Sequence, residues 1–110
     1  MTIKNLNQLK KVLRPGVEFE IVLHNRPEWI GQIRRVTKVN TVSFYTVIAS
    51  EPDNKANASN DGLGIRCEWG PASFWTFDAE GVCAKHSDYK HTPNEILIAF
   101  KVKEVKHEAE

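Results

Sequence analysis

Long apolar runs are missing from this chain of 110 residues. None approaches the roughly 20 residues that a membrane-spanning helix needs, and the opening "MTIKNLNQLKK" lacks the apolar segment of a secretory signal. Cysteine is scarce: only Cys67 and Cys83. Two cysteines without a secretory signal read as free thiols, and the expected compartment is the cytoplasm. Glycine-rich phosphate loops, a Gly-x-Ser-x-Gly elbow and close carboxylate pairs at apolar sites are absent too. The expectation is therefore no enzyme and no cofactor. There are no repeats and no low-complexity tract.

Charge of one sign is also lacking, since the net charge is only +1. The balance is uneven along the chain. Residues 1–50 hold eight Lys/Arg against three Asp/Glu, a net of +5, and residues 51–110 hold seven against eleven, a net of −4. The composition, 41% hydrophobic and 26% charged, is that of one globular domain able to bury a modest core.

The pattern inside those bounds is mostly β. "NLNQLKKVLRPG" predicts a short helix, with Leu6, Leu9 and Leu13 at helical spacing, Asn5 as cap and Pro15-Gly16 as stop. Residues 1–16 are helix and turn, and residues 17–49 a three-strand antiparallel meander. In "VEFEIVLH" the residues Val17, Phe19, Ile21 and Leu23 alternate inward. In "WIGQIRRVTKV" the alternation slips, and a bulge near Arg34-Arg35 would bring both Ile33 and Val36 to the core. In "TVSFYTVIA", Val42, Phe44, Thr46 and Ile48 share a face. Residues 50–62, "SEPDNKANASNDG", read as a flexible loop. Residues 63–102 supply further strands, and 103–110 a charged tail. The expected fold class is α+β and mostly β: the helix, then six or seven short antiparallel strands in a small roll or SH3-like partial barrel.

Four of the ten aromatic residues fall in "CEWGPASFWTF", residues 67–77. Alternation splits this stretch into two arms hinged at Gly70-Pro71. Trp69 continues the apolar face of Leu63, Ile65 and Cys67. Phe74 and Trp75 are neighbours, so a regular strand buries only one of them. Cys83 alternates away from Val82 and is expected on the outside.

Three binding chemistries present themselves. An aromatic surplus beside arginine is the commonest chemistry of protein–protein contact, so Trp29, Arg34, Arg35, Lys38, Tyr45 and Trp75 are the candidate partner-binding residues, and a homodimer would serve them equally. The basic second strand with Tyr45 could instead hold single-stranded nucleic acid. Cys67, Cys83, His86 and His91 form a zinc-like or thiol set, but with no known module's spacing, and no metal is expected.

"NLNQLKKVLRPG", "RRVTKVNTVSF" and "EWGPASFWTFDAEGV" resemble a loose family of small phage and prophage proteins of low-GC Gram-positive bacteria. Its members share a leucine-rich first helix, an "R-x-V-x-K-V-Q-x-N"-like strand and a Trp–Lys–Ala–Ser segment before "F-D-x-x-G". Here Pro71 stands where lysine is usual, Asn40-Thr41 departs from the Gln-x-Asn pattern, and residues 50–62 form a longer insertion. The resemblance implies no activity. It implies an accessory protein of a phage or mobile element, with inhibition of a host or defence protein as a plausible role.

Overall fold

The computed structural model describes residues 3–51, 64–88 and 92–103. Helix α1 (Leu6–Val12) opens the chain, and the Asn5 side chain accepts the Gln8 N–H at 2.9 Å as its cap. Seven strands follow: β1 (Glu18–His24), β2 (Ile33–Val39), β3 (Ser43–Ile48), β4 (Ile65–Glu68), β5 (Trp75–Phe77), β6 (Val82–Asp88) and β7 (Thr92–Val102). They form one antiparallel sheet in the order β4-β3-β2-β1-β7-β6-β5. The sheet curls but does not close, leaving β4 and β5 as its edges. The fold is thus the expected one, mostly β with a single short helix.

The inner face carries the core. Phe19, Ile21, Val36, Phe44, Cys83 and Phe100 pack with Trp69 and Trp75, and Ile3, Leu6, Leu9 and Leu13 cover them. Phe19 stacks on Phe100 with ring centroids 4.3 Å apart, and Phe44 meets Trp69 at 4.7 Å. Burial of these rings and leucines is the main source of stability, at about 1.5–3 kcal/mol per large apolar side chain before entropy is charged against it.

Two bulges set which side chains point inward. In β1, Ile21 pairs with Phe100 but Leu23 with Ala99, so Val22 is the extra residue. Leu23, expected inside, is turned out and 48% exposed, and His24 takes the inward position opposite Ile98. In β2 the bulge falls at Thr37, between Val36 and Lys38, and not at Arg34-Arg35. Alternation therefore runs unbroken from Val36 back to Arg34, which is buried at 3% exposure, while Ile33 is only half-buried. Val42, expected on the inward face of β3, precedes the strand and is exposed.

The aromatic stretch resolves differently from a regular strand. A 3₁₀ turn (Ala72–Phe74) precedes β5, so Phe74 lies outside the alternation and is half-buried, and Trp75 goes into the core. Cys83, expected outside, is fully buried because its register partners are Phe100 and Phe77. Residues 52–63, which hold most of the expected loop and Leu63, lie outside the described residues, as do residues 104–110 of the tail.

Candidate anion-binding cavity

Beyond Phe19 and Phe44 the inner face is no longer filled. A cavity of about 410 Å³ opens there, walled by Arg34, Thr46, Ile65, Cys67, Lys85 and Ile98. His24, Asn25 and Trp29 stand at its rim. Each wall residue is there by register. Thr46 faces Ile65 across β3 and β4, Phe44 faces Cys67, and Ile98 faces both His24 and Lys85.

Arg34 is the unusual member. Its Nε donates to Gln32 Oε1 at 2.9 Å and its Nη1 to Thr46 Oγ1 at 3.3 Å. Its Nη2 is buried and has no hydrogen-bond partner. Among the described residues no carboxylate reaches it; the ion pairs join Arg35 and Lys103 to Glu18, and Arg66 to Glu68. Burial pulls its pKa down to about 10, which still leaves it a cation at neutral pH. A buried cation without a counter-charge is costly, so the fold holds a positive charge where water is scarce.

Trp29 fixes that charge in place. The 3₁₀ turn Pro27–Trp29 between β1 and β2 sets the indole 4.6 Å from the Arg34 guanidinium carbon, and Arg26 approaches the same ring at 4.9 Å. The His24 ring lies 4.6 Å from Trp29 and accepts the Arg26 N–H at Nδ1, at 2.9 Å. That bond requires a neutral Nδ1 and puts the imidazole proton on Nε2. Burial, then the charges of Arg34 and Arg26, hold the His24 pKa below its ordinary value, against a smaller opposing pull from Glu28. At neutral pH the cavity offers a buried guanidinium, a neutral imidazole, the Lys85 ammonium and the Arg66–Glu68 ion pair beside apolar walls.

Of the residues singled out in the sequence, Trp29 and Arg34 come together in this cavity. Lys38 and Tyr45 are register partners on the outer face, with Arg66 opposite Tyr45 on the next strand. Arg35, also on the outer face, bonds Glu18 through Nη2 at 3.0 Å. Trp75 is 5% exposed and is removed from any partner surface by burial. Of the zinc-like set, the described members Cys67, Cys83 and His86 do not converge: among the described residues no three His, Cys, Asp or Glu side chains come together as a metal would need. Cys83 is in the core, His86 Nε2 lies 2.9 Å from Thr76 Oγ1, and His91 is outside the described residues. Burial pushes the Cys67 thiol up to about 11, against a smaller downward pull from Lys85, and the Cys83 thiol up to about 12.

His24, Thr46 and Lys85 are cavity residues that the sequence reading passed over. One signal was present. Counting back from Val36 in steps of two puts Arg34 on the inner face, so a cation occupies a core-facing position of an otherwise apolar row.

No family model, curated protein or solved structure matches the chain.

Proposed function

We propose that this protein is a non-enzymatic binding module that captures a protein partner by seating an anionic group of that partner in the Arg34 cavity. The observation that carries this reading is the buried Arg34 guanidinium in the wall of an open cavity, with its Nη2 unpartnered and no carboxylate among the described residues against it. Folding leaves that donor unsatisfied, and a ligand acceptor would satisfy it. The resemblance to phage and prophage proteins supports a mobile-element setting, with a host or defence protein as the partner.

A second reading rests on a different surface. Lys38, Tyr45 and Arg66 form a row across the outer face of β2, β3 and β4, with the half-buried tyrosine between two exposed cations. Such a row suits the stacking and backbone contacts of single-stranded nucleic acid.

One experiment with two arms separates them. Capture from a bacterial host lysate is followed by titration of the purified partner against wild type, Arg34→Met and Tyr45→Ala. The cavity reading expects Arg34→Met to weaken binding about 10-fold or more and Tyr45→Ala to leave it unchanged. In the other arm, a short single-stranded oligonucleotide is tested by mobility shift at about 50 and 200 mM salt. Binding that falls steeply with salt and is lost in Tyr45→Ala, with no Arg34-dependent partner, would replace the first reading by the second.

A further inference from the structure

We infer that the partner binds as an extended strand added to the open edge of β4, with an anionic side chain of that strand directed into the cavity. The inference rests on the reading of the cavity as the binding site and adds the form in which the partner arrives.

The backbone of β4 makes the first argument. The Trp69 N–H donates to the Val42 carbonyl at 2.9 Å. In an antiparallel ladder the hydrogen-bonding direction alternates, so Cys67 and Ile65 also face β3. The N–H and C=O groups of Arg66 and Glu68 therefore point the other way, where the sheet ends. The Glu68 carbonyl takes Lys85 Nζ. The Arg66 N–H, the Arg66 carbonyl and the Glu68 N–H have no partner among the described residues. Such a row of main-chain donors and acceptors at strand spacing is satisfied by another extended chain.

The opening beside this edge is the second. β5 pairs with β6 only as far as Trp75, opposite Lys85, and there it ends. On the other side of the opening Ile65 and Cys67 stay half-buried, while Phe44 and Thr46, their register partners on β3, are buried. Lys85 crosses from β6 with its side chain to reach Glu68. A gap that one lysine side chain spans admits a single extended chain and not the sheet of a second copy.

Charge selects the occupant. Arg34, Arg66 and Lys85 line the cavity against the single carboxylate of Glu68. Side chains alternate along an added strand, so every second one falls on the Cys67 side and enters the cavity. An anionic residue at that position meets the excess of positive charge, with Ile65 and Ile98 beside its stem.

Hydrogen exchange of the full chain, followed by NMR, tests the assignment. The probes are the peptide acetyl-Thr-Val-Glu-Val-Thr-amide and its counterpart with Gln in place of Glu. In the free protein the Arg66 and Glu68 amides are expected to exchange fast and the Cys67 amide slowly. Saturating Glu peptide is expected to slow Arg66 and Glu68 by about 10-fold or more and to leave Cys67 little changed. The Gln peptide is expected to bind about 5-fold more weakly or worse. Arg66→Ala, which keeps the N–H and loses one exposed charge, is expected to bind the Glu peptide within about 3-fold of wild type. Arg66→Pro removes an N–H that β3 does not use, so it is expected to keep the fold and lose the peptide. Equal affinity for the two peptides would overturn the anionic residue. Binding that shifts the Trp29 indole in an Arg34-dependent way without protecting Arg66 and Glu68 would overturn the added strand and leave the cavity reading in place. Protection of these amides without peptide, rising with protein concentration, would assign the edge to a second copy and overturn the proposal. If neither peptide binds at millimolar concentration, the proposal falls, and the Arg34→Met capture result decides the cavity reading separately.

Discussion

Arg34 sits where its neighbours in register would suggest an apolar residue. It faces Phe19 on one strand and Ile48 on the other, at 3% exposure. Its stability account is close to balance. Nη2 has no partner, and an unsatisfied buried donor costs about 1–3 kcal/mol. The bonds to Gln32 and Thr46 return about 0.5–1.5 kcal/mol each, and the Trp29 contact about 0.5–2 kcal/mol. Methionine would fill much of the same volume without the charge. Arg34→Met is therefore expected to leave the unfolding free energy within about 1 kcal/mol of wild type, read by urea denaturation with an unchanged slope. A residue whose removal leaves the fold intact while weakening ligand binding is kept for binding. A loss of 2 kcal/mol or more on this substitution, on the scale of a damaged core, would mean that Arg34 is a structural member of the core and would remove the stability argument for the cavity.

The cavity wall on the β4 side depends on how that short strand is attached. Gly64 precedes it with φ +104°, and a Cβ there would lie 2.3 Å from the Thr46 carbonyl oxygen. The obstacle is backbone of the adjacent strand, so side-chain rotation cannot relieve it. Gly64→Ala is expected to destabilise by about 1–3 kcal/mol or more and to weaken any ligand of the cavity, because Ile65 and Cys67 move with β4. Thermal denaturation and titration of the captured partner read the two effects. An unchanged melting temperature would show that β4 can shift without cost. At this scale the sequence was informative about which elements exist and less so about their faces. The helix was legible from its cap, its leucines and its Pro-Gly stop. β7 was legible because Ile96, Ile98, Phe100 and Val102 alternate in the sequence, which gives no sign that Leu97 is an extra residue on β7 between the Lys85–Ile98 and His86–Ile96 pairs. β1 was misread beyond Ile21, since nothing in "IVLH" distinguishes a bulge at Val22 from continued alternation. β2 was misread because Ile33 is apolar and Arg34 is not, so hydrophobicity favoured the wrong phase. The cavity was hidden for the same reason. Two of its polar residues, His24 and Arg34, face inward only because of a phase that tertiary pairing sets.

At the scale of the molecule, an open sheet of seven strands has two edges to protect. Here "CEWGPASFWTF" lies across the gap between them. Trp69 follows β4, Trp75 begins β5, and the Trp75 indole N–H donates to the Trp69 carbonyl at 2.7 Å. Lys85, from β6, reaches the Glu68 carbonyl on the same side. The two edges are thus joined by side chains where no backbone ladder among the described residues joins them. This arrangement leaves the inner face filled at the tryptophans and open at Arg34. Trp75→Phe keeps an aromatic ring in the core and removes the N–H. It is expected to cost about 1–3 kcal/mol, from lost volume together with a buried carbonyl left short of a donor. It should also speed hydrogen exchange in β4 and β5 more than in β1 and β7, because the central pair keeps its own ladder. Uniform acceleration across all seven strands would show instead that the seam and the sheet open together.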